Sequence, residues 1–96
     1  MTAFFVATVS VRDPKAFQEY AQRSAPTFAA YGGELVLRGK LGEVLTGSAG
    51  HQATAVVRFP DMAALKAWYA SADYQALIPI RDSGADITIA AYEVPA

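Results

Sequence analysis

A chain of 96 residues is long enough for one domain, 1–96, and a domain this small buries only about two-thirds of the surface its unfolded chain exposes; yet 53% of its residues are hydrophobic, a surplus that predicts a subunit interface. Eight Lys and Arg against nine Asp and Glu leave a formal charge of -1, which excludes a basic field for nucleic acid. The absence of cysteine excludes a disulfide framework, a thiolate nucleophile and a Cys-based metal site, and the N-terminal apolar run lacks a basic region ahead of it, so the chain reads as cytoplasmic, with no signal peptide and no membrane span.

Ala3 to Val11 is rich in β-branched and aromatic residues and reads as a first strand, stopped by Arg12-Asp13-Pro14. Asp13 suits an N-cap and Pro14 the first helical position. Phe17, Tyr20, Ser24, Phe28 and Tyr31 then recur on one helical stripe. Pro26 is expected to kink or restart that helix, and Gly32-Gly33 to end it. Glu34 to Arg38 reads as a second strand that continues over Lys40 to Thr46 past a bulge at Gly39 or Gly42, with a turn at Gly47 to Gly50 and a return strand over Gln52 to Phe59. Asp61 caps a helix carrying Met62, Leu65, Trp68 and Tyr69; Ser71 caps a short one carrying Tyr74, Leu77 and Ile78, which Pro79 closes. Asp86 to Val94 alternates as a last strand.

The order β-α-β-β-α-β predicts an α+β, ferredoxin-like domain: a four-stranded antiparallel sheet with both helices on one face. Alternation divides the strands into two sets. Phe5, Ala7, Val9, Ala53, Ala55, Val57, Ile87 and Ile89 belong beneath the helices. Phe4, Val6, Thr8, Val36, Arg38, Val56, Arg58, Thr88, Ala90 and Tyr92 form a face too apolar for water and too polar for a dry core. Two such faces stacked in a homodimer, as a dimeric α/β barrel, would cover each other.

Tyr31-Gly32-Gly33, Arg38-Gly39, Glu43 to Gly47, Phe59-Pro60 and Trp68-Tyr69-Ala70-Ser71-Ala72-Asp73-Tyr74-Gln75 with Arg81 together resemble the family of domains of unknown function numbered 1330. The resemblance runs from the first strand to the last. It implies the dimeric α/β-barrel superfamily, which includes cofactor-free monooxygenases and muconolactone isomerases, while the family itself has no agreed activity. Where the family often carries a Ser-Pro-Glu-Tyr-like stretch, this chain has Ser71-Ala72-Asp73-Tyr74, which keeps the acidic residue and loses the proline.

Arg38 and Arg81 are the candidates for holding an anion, because a guanidinium offers a planar fork of donors. Arg38 is expected to project toward the barrel interior. Each arginine could instead pair with a local carboxylate such as Glu43 or Asp73. Trp68, Tyr69 and Tyr74 combine apolar rings with polar tips, the usual lining of a small-molecule pocket, although rings at helical spacing also build cores. His51, the single histidine, sits in a turn and reads as a solvated loop residue. No metal site, phosphate loop, serine-nucleophile motif or cofactor-binding motif is present in the sequence. These features point to a dimer that binds a small oxygenated or carboxylated organic molecule through Arg38, Trp68, Tyr69, Tyr74 and Arg81. Two alternatives stand beside it. One is a non-catalytic accessory module without a pocket; the other is a cofactor-free monooxygenase- or isomerase-like enzyme using Tyr, His51 or Glu43 as acid-base groups.

Overall fold

The computed structural model describes residues 1–95. Strand β1 (Ala3–Val11) alternates buried and half-buried residues along its length, the mark of a sheet covered on one face. Helix α1 (Pro14–Ala29) starts where Asp13 accepts hydrogen bonds from the Lys15 and Ala16 amides, at 3.1 and 3.3 Å. Pro26 lies inside this helix and does not restart it. The residue whose carbonyl loses its partner to the missing proline N–H is Gln22, which is exposed, and water satisfies such a group at little cost. Past the helix end Gly32 takes φ 79°, a left-handed conformation that favours glycine. Tyr31 falls in that turn and is exposed.

Strand β2 (Glu34–Lys40) pairs antiparallel with β3 (Ala53–Phe59), and its register shifts between Leu35 and Leu37. The bulge is therefore at Val36, ahead of both glycines, and β2 stops at Lys40 without running on to Thr46. The one-residue shift turns the rest of the strand over. Leu37 faces Val56 and Arg38 faces Ala55, so Arg38 lies on the helix side of the sheet, not on the bare face where simple alternation puts it. Residues 41–51 form no strand.

Helix α2 (Met62–Ala70) is capped by Asp61, which accepts from the Ala64 amide at 2.8 Å. The short α3 (Ala72–Gln75) is capped by Ser71. Pro79 does not close the segment; it sits in the first turn of a further helix, α4 (Ile78–Gly84), where its fixed φ and absent N–H are tolerated. Gly84 presses against α1: a Cβ there would lie 2.7 Å from the Phe17 amide nitrogen. The Arg12 and Asp13 amides both donate to the Gly84 carbonyl, at 2.9 and 3.0 Å. Strand β4 (Ala85–Glu93) completes a sheet of order β2-β3-β1-β4, antiparallel throughout.

The core lies between the helices and one sheet face. Phe5, Val57, Phe59, Leu65, Trp68, Tyr74 and Leu77 are buried in it. Trp68 stacks on Phe5, with ring centres 5.0 Å apart and planes at 14°. Among the described residues nothing covers the opposite face. Phe4 and Tyr92 stack there at 5.3 Å, and Tyr92 remains 48% exposed and Leu37 57%. The accessible surface, 5994 Å², exceeds the roughly 5,300 Å² typical of a monomer of this mass.

Candidate functional site

Tyr20, on α1, and Tyr74, on α3, approach from positions 54 apart in sequence and join their hydroxyls at 2.8 Å. Arg81, on α4, donates from Nη1 to the Tyr74 hydroxyl at 3.1 Å and makes a longer contact of 3.4 Å with that of Tyr69. Its Nε donates to the Asp82 carboxylate at 3.1 Å. Two breaks in the helical layer create this cluster. The α2–α3 break at Ser71 turns Tyr74 inward, and the proline-led start of α4 brings Arg81 back over it.

The direction of the hydrogen bonds follows from chemistry. A guanidinium only donates, and a phenolic oxygen has one hydrogen to give. The Tyr74 oxygen accepts from Arg81, and Tyr74 is wholly buried, so its own hydrogen goes to the Tyr20 oxygen. The reverse arrangement would strand that hydrogen in the core at a cost of about 1–3 kcal/mol. The chain runs Arg81 to Tyr74 to Tyr20.

Burial pushes the Tyr20 phenol well above its usual pKa, helped by the neighbouring Tyr74. Tyr20 is thus a neutral hydroxyl at any ordinary pH, a donor and not a base. Burial opposes the Arg81 charge, but the hydroxyls of Tyr69 and Tyr74 and the Asp82 carboxylate outweigh it and raise its pKa. Arg81 is permanently cationic.

Tyr20 also lines a cavity of about 510 Å³ between α1 and the sheet, within the size range of small-molecule sites. Phe5, Phe17 and Phe28 supply much of its wall, and Arg38 and Lys40 are its charged residues; among the described residues no carboxylate and no histidine line it. Arg38 makes no ion pair among the described residues. Strand β2, which contributes both cations, is exposed along its whole length, so the cavity is open on that side.

The residues expected to form one site therefore divide. Tyr69, Tyr74 and Arg81 come together, while Arg38 lies apart from them on the larger cavity. Arg81 pairs with Asp82, not Asp73, and it lies within α4. Trp68 is 1% exposed and its indole N–H donates to Thr27 Oγ1 at 3.0 Å; it is a core ring that borders, with Tyr69 and Arg81, a smaller hollow of about 310 Å³ against β4. Neither Glu43 nor His51 lines the large cavity. His51 lies beside a surface hollow with Arg12 and Asp86. In the sequence Tyr20 reads as a stripe residue with a stronger lean toward packing than toward a pocket, since nothing there announces a hydroxyl partner on another helix. Among the described residues no three His, Cys, Asp or Glu side chains converge as a metal site, and no helix is long and apolar enough to cross a membrane.

A ferredoxin-like α+β domain with an apolar, cation-edged cavity under its first helix is the class these features define. The chain belongs to the family described as a domain of unknown function, DUF1330, whose model matches residues 2–94. No curated protein matches it. Among solved structures, a protein of unknown function from Rhodopseudomonas palustris superposes with a TM-score of 0.83 at 18% identity, covering 99% of this chain and 83% of the other. SnoaB, a cofactor-independent oxygenase from Streptomyces nogalater, gives 0.72 at 17% identity over 99% and 94%. A dimeric ferredoxin-like protein of unknown function from Thermobifida fusca gives 0.64 at 14% identity over 98% and 92%. At these identities the likeness is one of fold.

Proposed function

We propose that this protein is a homodimer that binds a small apolar organic acid in the cavity of each subunit. The observation that carries the reading is the lining: about 510 Å³ walled by aromatic and aliphatic side chains, with Arg38 and Lys40 as its charged groups and, among the described residues, no carboxylate to neutralise them. An apolar body supplies the binding energy in such a site and a carboxylate supplies the orientation. The cavity speaks for a ligand over a solidly packed accessory module. Dimerisation through the bare sheet face leaves it open, because Phe4 and Val6 point to one side of β1 and Phe5 and Ala7 to the other. The dimeric neighbour is consistent with that use of the face.

Cofactor-free turnover, suggested by the oxygenase neighbour, finds less support. Among the described residues the wall holds no histidine or carboxylate to serve as a base near neutrality, and burial keeps the Tyr20 phenol protonated. Binding is what the site is built for.

Thermal denaturation with a panel of aryl and alkyl carboxylates tests the reading. A ligand at about ten times its Kd adds roughly 1.4 kcal/mol, which raises the Tm of a domain this size by about 5–10 °C. Arg38→Gln is expected to remove most of that shift while leaving the unliganded Tm unchanged. Equal shifts in the two proteins, or none with any acid, would refute a binding role for this cavity.

A further inference from the structure

The chain Arg81, Tyr74, Tyr20 is directional, and among the described residues its last hydrogen has no side-chain acceptor. Tyr20 meets Tyr74 at 2.8 Å and makes no other side-chain hydrogen bond among the described residues, yet it lines the cavity. A hydroxyl that accepts from a hydroxyl already polarised by a guanidinium is a stronger donor than an isolated phenol. The Arg81 charge therefore reaches the cavity through two tyrosines without Arg81 itself lining it.

We infer that the Tyr20 hydroxyl is a ligand-binding donor, and that the molecule it selects carries a phenolic or enolic oxygen bound in its ionised form. This inference rests on the cavity reading above and narrows its ligand to phenol- or enol-bearing compounds. The chemistry of the surroundings favours the anion over a neutral carbonyl. Both charged side chains lining the cavity are cations, Arg81 stands behind the donor chain, and among the described residues no carboxylate lines the cavity to oppose an anion. The Tyr20 phenol cannot compete for the charge either, because burial holds it neutral. Donor and cations together make the bound phenol more acidic than the free one, and that acidity is a signature which packing alone does not produce.

The probe is 4-nitrophenol, whose phenolate absorbs in the visible, with benzoate as the separate test that the cavity takes an organic anion at all. In the wild-type protein the pKa of bound 4-nitrophenol is expected to lie below that of the free compound, and its affinity to rise with pH as it ionises. Tyr20→Phe is expected to weaken phenolate binding about tenfold and to return the bound pKa toward the free value. Tyr74→Phe, which leaves Tyr20 in place but cuts it off from Arg81, is expected to move the bound pKa in the same direction by a smaller amount, and the lowered pKa of 4-nitrophenol on the wild-type protein is itself a test that needs no variant to fold: a bound pKa at or above the free value overturns the proposal. If 4-nitrophenol binds wild type and both variants with the same affinity and the same pKa, the donor role is overturned while the cavity reading stands. If wild type binds neither 4-nitrophenol nor benzoate, both fall.

Discussion

Replacing Tyr74 by Phe removes one oxygen atom from a fully buried position and keeps the ring that packs 4.4 Å from Trp68. Two hydrogen bonds go with it, the one received from Arg81 at 3.1 Å and the one shared with Tyr20 at 2.8 Å. A bond to a charged donor contributes about 1.5–3 kcal/mol and a neutral one about 0.5–1.5 kcal/mol. Arg81 retains Asp82 and Tyr69 as acceptors, which offsets part of the loss, so the net expectation is about 2–3 kcal/mol. For a domain of this size that lowers the Tm by roughly 8–20 °C. Tyr20→Phe alone is expected to cost about 1 kcal/mol. The double substitution is the discriminating one. Once the Tyr74 oxygen is absent, the Tyr20 hydroxyl has nothing to bond, and removing it as well costs close to nothing. The cycle should therefore show a coupling of about 1 kcal/mol. Urea unfolding at fixed protein concentration, followed by the fluorescence of Trp68, the single tryptophan, measures all four proteins. Additivity within about 0.3 kcal/mol would refute the directional chain.

Tyr92→Glu places a carboxylate beside Phe4 on the bare sheet face; light scattering at low micromolar concentration is expected to show a dimer for the wild type and a mass near the 10.2 kDa of one chain for the variant, and an unchanged mass would mean the face is not the interface. Because folding raises the Tyr20 pKa, its contribution to stability is fully present below the unfolded-state value near pH ~10 and is lost as pH climbs above it toward the folded value. Above that point wild type should lose up to about 1.4 kcal/mol per pH unit more than Tyr20→Phe does, read as the difference between their urea midpoints; parallel curves would show that Tyr20 is not protected from ionisation.

What the sequence determined by itself was whatever depends on residues a few positions apart. Alternation in β1 assigned its two faces, because side chains in a strand alternate whatever lies beside it. Asp13, Asp61 and Ser71 marked helix starts, because a short polar side chain reaches the free amides of the next turn. The resemblance in order and spacing carried the family. Tertiary structure decided the rest. The bulge at Val36 belongs to the pairing of β2 with β3, and only that pairing moves Arg38 to the helix side and onto a cavity. Pro79 could equally end one helix or begin another, and the packing of Gly84 against Phe17 settles it as a beginning. The link between Tyr20 and Tyr74 spans 54 positions, a distance at which sequence pattern carries no information about contact, and the cavity beside Tyr20 is a space left between packed elements, which no residue encodes alone.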